Sequence, residues 1–317
     1  MNIYYPLVSV IITNYNHANW VAERIESVLN QTYKNLEIFI FDDASTDNSK
    51  EVLHRYVNHP KVKKIIFNET NSGSPFQQWR KAFQMVNGDL IWIAESDDYN
   101  HPEFLSSLIP AFENADCVLA HSELIFVDPL GNPISEIITK TSTWYSGEEF
   151  LKQKMVLFDS LCNTGQVVFR KNALNNISEA YLDNKLSGDY RLFCEIIIQG
   201  KVFASGLPHA FFRKHEAELT TKYVGTIVYH QEHFVVLDWL IKKGIANPKV
   251  IRRIAYHELV QLYCIHKGMP KEEATALFTL FRNACKKHNQ PIPSFRAKLK
   301  SYMIKGAHYY RTKLRNG

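Results

Sequence analysis

Asp89-Leu-Ile-Trp-Ile-Ala-Glu-Ser-Asp-Asp98-Tyr99 is the stretch whose reading decides the fold. Its apolar run, Leu90 to Ala94, reads as a buried strand. Asp97 and Asp98 follow where that strand should end. In open α/β sheets, ligands bind beyond the carboxyl ends of the strands. Adjacent carboxylates there repel each other unless a cation or hydrogen-bond donors compensate. A divalent cation carrying a diphosphate would do so, because Mg²⁺ is typically held by one or two carboxylates plus phosphate oxygens. A solvated acidic loop would show the same two letters, so the pair must be read in context.

The context repeats the pattern. Leu36 to Phe41 is a second strand-like run, and Asp42-Asp43-Ala-Ser-Thr-Asp47 follows it at once. Val8 to Thr13 is a first strand and empties into Asn14-Tyr15-Asn16. In a parallel sheet these three strand ends lie side by side. Asp43 is then placed to accept from a base N–H, with Thr13, Asn14 and Tyr15 at base or ribose. Asp97 is placed for a ribose hydroxyl and Asp98 for the metal.

The segments Val8 to Asn16, Ser27-Val-Leu-Asn-Gln-Thr-Tyr33, Asp42 to Asp47, and Asn87-Gly-Asp-Leu-Ile91 onward to Asp98 resemble family 2 glycosyltransferases of the GT-A fold. Four ordered motifs at compatible spacing are far more specific than any one of them. The resemblance covers roughly residues 6–215. From Phe76-Gln-Gln-Trp-Arg-Lys81 to Tyr99 it is most similar to bacterial enzymes of O-antigen, lipopolysaccharide and capsule biosynthesis.

Working outward, strands and helices alternate. Trp20 to Leu29 places Val21, Ile25 and Val28 on one face of an amphipathic helix. Asn48 to Val57 reads as a second helix and Val62 to Phe67 as a third strand. Phe76 to Val86 is a helix stopped by Asn87-Gly88. Pro102 to Phe112 opens with proline in a first helical turn. Cys117 to Val127 reads as one long strand, Glu148 to Leu157 as a helix, and Gln166 to Arg170 and Leu207 to Phe212 as strands. This order predicts an α/β fold, a mostly parallel sheet with helices on both faces. A GT-A catalytic domain is expected over residues 1–222 and a basic helical appendage over residues 223–317.

Gly188-Asp189 opens an apolar-periodic helix. A carboxylate there is favoured by the helix dipole, so Asp189 could simply cap the helix. The resemblance implies more: in the family, an Asp opening this helix deprotonates the acceptor hydroxyl. An Arg-x-His element after the last strand also recurs in similar transferases. Through it His215 is implied as a cation ligand or diphosphate contact, the alternative being a surface histidine beside Glu216. Arg213 and Lys214 are diphosphate counterions or surface charge.

Composition limits the alternatives. The chain has 317 residues and a net charge of +5, enough for one large domain plus an appendage. Its five cysteines (Cys117, Cys162, Cys194, Cys264, Cys285) are scattered and lack Cys-x-x-Cys spacing, against a disulfide framework or zinc site. No signal peptide and no bilayer-spanning run is read, so a cytoplasmic protein is expected, with an optional peripheral place on the inner face of the membrane. After Glu273 there is no Asp or Glu, but ten Lys and Arg. Phe295, Leu299, Tyr302 and Met303 form an apolar stripe among lysines, as an interfacial helix on anionic lipid would. A packed helical subdomain with a basic face is the plainer reading. No nucleic-acid fold accompanies the charge, so no nucleic-acid partner is expected.

The expectation is an inverting, metal-dependent glycosyltransferase using Mn²⁺ or Mg²⁺. It would move a sugar from a nucleoside diphosphate, UDP above all, to a hydroxyl of a glycan or lipid-linked glycan. A sugar nucleotidyltransferase would show a glycine-rich loop after the first strand, and Asn14-Tyr-Asn-His-Ala has none. A dinucleotide oxidoreductase is disfavoured by the absence of any Gly-x-Gly. A non-catalytic nucleotide-sugar-binding or scaffold protein is the hardest rival, because it would keep Asp43 and Asp98 and tolerate loss of Asp189.

Overall fold

The computed structural model describes residues 4–137, 141–156, 161–216, 223, 226–265 and 269–293. Two compact units are delimited, Met1–Glu218 and Leu219–Gly317.

In the first unit the strands are β1 Val8–Asn14, β2 Leu36–Asp42, β3 Val62–Phe67, β4 Leu90–Ile93, β5 Tyr99–Asn100, β6 Cys117–His121, β7 Leu124–Val127, β8 Pro133–Ile137, β9 Thr143–Ser146, β10 Val167–Arg170, β11 Lys201–Ala204 and β12 Ala210–Arg213. The helices are α1 Val21–Leu29, α2 Ser49–His54, α3 Pro75–Phe83, α4 Phe104–Leu108, α5 Gly147–Phe150 and α6 Gly188–Ile197. The main sheet has eight strands in the order β3-β2-β1-β4-β10-β6-β11-β9. The pairings among β3, β2, β1 and β4 are all parallel. Every residue of β1, β2 and β4 is buried, which is why they read as continuous apolar runs.

The structure departs from the expected map in two ways. β10 runs antiparallel between β4 and β6, and β9 is antiparallel to β11, so the sheet is mixed beyond β4. The expected long strand Cys117 to Val127 is two strands. The chain leaves the main sheet at Ser122, whose N–H donates to the Gln166 carbonyl, and Leu124–Val127 joins a second sheet of order β5-β12-β7-β8. The polar pair Ser122-Glu123 interrupts the apolar run at that switch.

The pole opposite the strand ends is held by a buried network. Ser9 Oγ donates to Glu37 Oε1 at 2.6 Å and accepts from the Gly88 N–H at 2.7 Å. The Asn87 N–H also donates to Glu37 Oε1. A Cβ on Gly88 would lie 2.6 Å from Ser9 N, so only glycine lets β4 enter beside β1.

The second unit contains helices Ile227–Lys242, Lys249–Ile265 and Lys271–Lys287. Ile251, Ile254, Ala255, Leu259 and Leu262 form a buried stripe on the second of these helices, and Leu277 and Phe281 are buried on the third. The proposed interfacial stripe Phe295 to Met303 lies outside the described residues. Among the described residues, no helix is long and apolar enough to cross a membrane.

Candidate functional site

The site forms where β1, β2 and β4 end. Their following loops are stitched together: Asn14 Nδ2 donates to Asp42 Oδ2 at 2.7 Å, Asn16 N to Ser45 Oγ at 2.9 Å, and Thr46 N to Asn16 Oδ1 at 2.7 Å. Two non-glycine residues are left-handed here, Asn16 at φ 57° and Ala44 at φ 59°. Asparagine tolerates that region; alanine does so at a cost. Asn14 is 2% exposed; its Nδ2 is spent on this stitching, while its buried Oδ1 has no hydrogen-bond partner among the described residues. Tyr15, by contrast, is 46% exposed and presents its ring.

Asp43, expected to meet a base N–H, already accepts from Asn68 Nδ2 and Gln78 Nε2, both at 2.7 Å, and from the backbone and hydroxyl of Ser72. It anchors the segment between β3 and α3 to the end of β2. Thr13 Oγ1 donates to Glu95 Oε2 at 2.7 Å. Burial pushes the Glu95 carboxyl up to about 7.

Asp97 and Asp98 have opposite surroundings. Asp98 is 1% exposed; its Oδ1 accepts the Arg213 N–H at 2.8 Å and its Oδ2 accepts Asn163 Nδ2 at 2.7 Å. Burial, then the neighbouring Asp97 charge, holds Asp98 well above the usual carboxylate range. For Asp97, burial acts upward but is outweighed by the His215 hydrogen bond and the His17 and His215 charges, so it stays below that range. The two neighbouring carboxyls are thus pushed in opposite directions.

His215 lies on Asp97, Nε2 to Oδ2 3.0 Å. His17 Nε2 is 3.9 Å from the same oxygen. Ligand atoms of His17, Asp97 and His215 all lie within 4.8 Å of one another. One carboxylate and two imidazoles make a donor set that suits a divalent ion.

Arg213, read from sequence as a diphosphate counterion or surface charge, is buried and committed elsewhere. It is 1% exposed, and its guanidinium donates to the carbonyls of Asp97 (2.8 Å) and Pro129 (2.9 Å) and to Glu23 Oε2 (2.5 Å). It also lies over the rings of Trp20 and Tyr99. With every face taken, it braces the Asp97-Asp98 loop and has no free edge for phosphate. Arg24 does the same from α1: it is fully buried, Nε donating to the Glu95 carbonyl at 2.7 Å and Nη1 to Asn100 Oδ1 at 2.5 Å.

Asp189 is the second residue of α6, and its Oδ1 accepts the Tyr190 N–H at 2.7 Å. A Cβ on Gly188 would lie 2.6 Å from the Phe76 ring, so the glycine seats this helix start on α3. Sequence reading missed Glu95, His17, Arg24 and Asn163. The Glu95-x-Asp97 spacing was a usable signal for the first. The other three are revealed only by contacts across 65 to 79 positions.

Comparison with known proteins adds to this geometry. The family model for glycosyl transferase family 2 matches residues 9–177. The chain is 31% identical over 140 residues to an uncharacterized glycosyltransferase of Haemophilus influenzae, covering 44% of this chain and 56% of that protein. It is 29% identical over 217 residues to WfaP of Escherichia coli, a UDP-Glc:alpha-D-GlcNAc-diphosphoundecaprenol beta-1,3-glucosyltransferase, covering 68% of this chain and 80% of that protein. The match to an uncharacterized Nostoc glycosyltransferase spans 41% of its length, so the aligned region is only about half of several relatives. S. aureus TarS 1-349, solved with UDP-GlcNAc, superposes with TM-score 0.62 at 17% identity over 96% of this chain and 92% of that chain. That likeness shows the GT-A fold.

Proposed function

The chain belongs to glycosyl transferase family 2, and from that premise we propose that it is an inverting, metal-dependent glycosyltransferase using a UDP-sugar and a glycan or lipid-linked glycan acceptor. The observation that carries the reading is Asp97 Oδ2 held 3.0 Å from His215 Nε2, beside the ends of β1, β2 and β4. The cation ligand is then Asp97 with His215, while Asp98 shapes the loop. An Mn²⁺ or Mg²⁺ ion there would neutralise charge on the leaving diphosphate.

The chain's own residues do the rest. Tyr15 offers an exposed ring for the base. Asp43 sets the base end of the pocket by tying down the segment through Gln78. Thr13 and Glu95 form one hydrogen-bonded unit beside the ribose. Asp189 at the start of α6 takes the proton from the acceptor hydroxyl as it attacks the anomeric carbon from the face opposite the diphosphate. No covalent nucleophile is needed, because holding donor and acceptor in line supplies much of the acceleration.

The UDP preference draws on the donors in the WfaP name and the TarS complex. The lipid-linked acceptor draws on the diphosphoundecaprenol acceptor of WfaP. The acid-free basic segment after Glu273 supports a peripheral place at an anionic membrane surface. The test is release of UDP from a panel of UDP-sugars, with Mn²⁺ and a diphosphate-lipid acceptor. Binding of a donor without acceptor-dependent turnover would favour a non-catalytic binding protein.

A further inference from the structure

We infer that His17 supplies a third protein ligand beside Asp97 and His215, and that this makes the site selective for first-row transition ions over Mg²⁺. The inference rests on the cation reading above and adds to it the residue that sets which ion is taken.

The geometry around His17 is that of a positioned ligand. Its carbonyl accepts the N–H groups of Trp20 and Val21 at 3.0 and 2.9 Å, fixing the residue at the entry to α1. Its ring packs edge-on against both Trp20 and His215, with centroids 5.7 and 5.6 Å away. Its Nδ1 is 2.8 Å from Ser96 Oγ, so Nε2 is the nitrogen turned to Asp97. A metal-bound histidine characteristically holds its other ring nitrogen in such a hydrogen bond. Ligand atoms each about 2.1 Å from one ion lie roughly 3.0–3.4 Å apart across an octahedral or tetrahedral edge. Asp97 Oδ2 is 3.0 Å from His215 Nε2, which matches such an edge, and 3.9 Å from His17 Nε2, about half an ångström longer than a tetrahedral edge, a gap that a small turn of the His17 ring closes.

The chemistry follows from the donors. Mg²⁺ prefers oxygen ligands and loses little when an imidazole is removed. Transition ions bind imidazole well and gain along the series from Mn²⁺ through Co²⁺ to Cu²⁺. Two imidazoles on one carboxylate therefore bias the site away from Mg²⁺. With His17 absent, the remaining pair would discriminate less.

The test is direct ion binding to the full chain, by calorimetry with Mn²⁺, Co²⁺ and Mg²⁺. Pulsed electron paramagnetic resonance of bound Mn²⁺ adds a count of coordinated nitrogens. Wild-type protein should bind Co²⁺ and Mn²⁺ roughly tenfold or more tighter than Mg²⁺. His17→Asn keeps a short polar side chain beside Ser96. It should lose about tenfold in Co²⁺ and Mn²⁺ affinity, keep its Mg²⁺ affinity, and show one fewer coordinated nitrogen. His17→Gln, which can return an oxygen near the lost Nε2, should regain ion binding with the preference moved toward Mg²⁺. If His17→Asn binds Mn²⁺ and Co²⁺ like wild type while Asp97→Asn does not, His17 is no ligand and this inference falls alone. If Asp97→Asn also keeps ion binding, the cation reading falls with it.

Discussion

Arg213 meets Asp98 through its backbone: the N–H donates to Oδ1 at 2.8 Å, while its guanidinium reaches past to the Asp97 carbonyl and Glu23. The two acids that look alike in sequence therefore do different work, and substitution should separate them. Asp98→Asn puts an amide N–H against the donors that Asp98 now accepts. It should cost about 1–3 kcal/mol of stability by urea unfolding, the usual loss for a disrupted buried polar group. Asp97→Asn should leave stability nearer wild type while abolishing Mn²⁺ binding and UDP release. If instead Asp98→Asn alone removes ion binding, Asp98 is the ligand.

Asp189→Asn should retain donor affinity while the transfer rate drops by roughly two to four orders of magnitude, the contribution of a positioned base. Donor binding by fluorescence and single-turnover transfer separate the two effects. An equal fall in affinity would make Asp189 a donor-binding or helix-capping residue.

His121 gives the first unit an acid limit. Burial pushes its imidazole down to about 4, against about 6.5 in an unfolded chain. Between those values the unfolded state binds a proton that the folded state refuses. Stability is therefore full above pH 6.5 and is lost as pH falls toward 4, by roughly 3 kcal/mol at most. Urea midpoints at pH 7 and pH 5 should differ less in His121→Gln than in wild type. An unchanged difference would assign the acid sensitivity to other groups.

Ala44 sits at φ 59° with no side-chain need for that conformation. A left-handed L-residue costs roughly 1–2 kcal/mol, partly offset by the flexibility glycine adds to the unfolded chain. Ala44→Gly should therefore raise the melting temperature, and Ala44→Val should lower it. A melting temperature reduced by glycine would show the loop to be unstrained.

The basic C-terminal segment predicts salt-sensitive binding to vesicles containing anionic lipid and none to neutral vesicles. Cosedimentation at low salt and at 1 M checks this, because the Debye length falls from about 10 Å at 0.1 M to about 3 Å there. Truncation before Pro291 should impair transfer to a lipid-linked acceptor more than to a soluble one. Equal loss on both would make the segment part of the fold.

The parallel half of the sheet was legible because β1, β2 and β4 are buried on both faces and appear as unbroken apolar runs. β5, with two residues, is too short to carry a period. β8 and β9 are largely exposed where described, so burial imposes no pattern on them. The Ser122 sheet switch was written in the sequence only as two polar letters, whose meaning depends on Gln166 and Leu207. At the site, strand ends located Thr13, Asp43 and the Asp97-Asp98 pair. Which acid faces the histidines was not legible, because it depends on Arg213 and Asn163 claiming Asp98 first.

The Arg213 claim comes late in the chain. The contact from Arg213 to Asp98 spans 115 positions, and that from Arg213 to Glu23 spans 190. During synthesis, a chain that has emerged only through α6 has its acidic pair but lacks the β12 donors that tell the two apart. Such long-range closure is the slow part of folding. The full distinction between the two acids is thus a property of the finished unit. A fragment ending at residue 177, where the family match stops, would keep both carboxylates and Asn163 but lack Arg213 and His215, which complete the distinction between them.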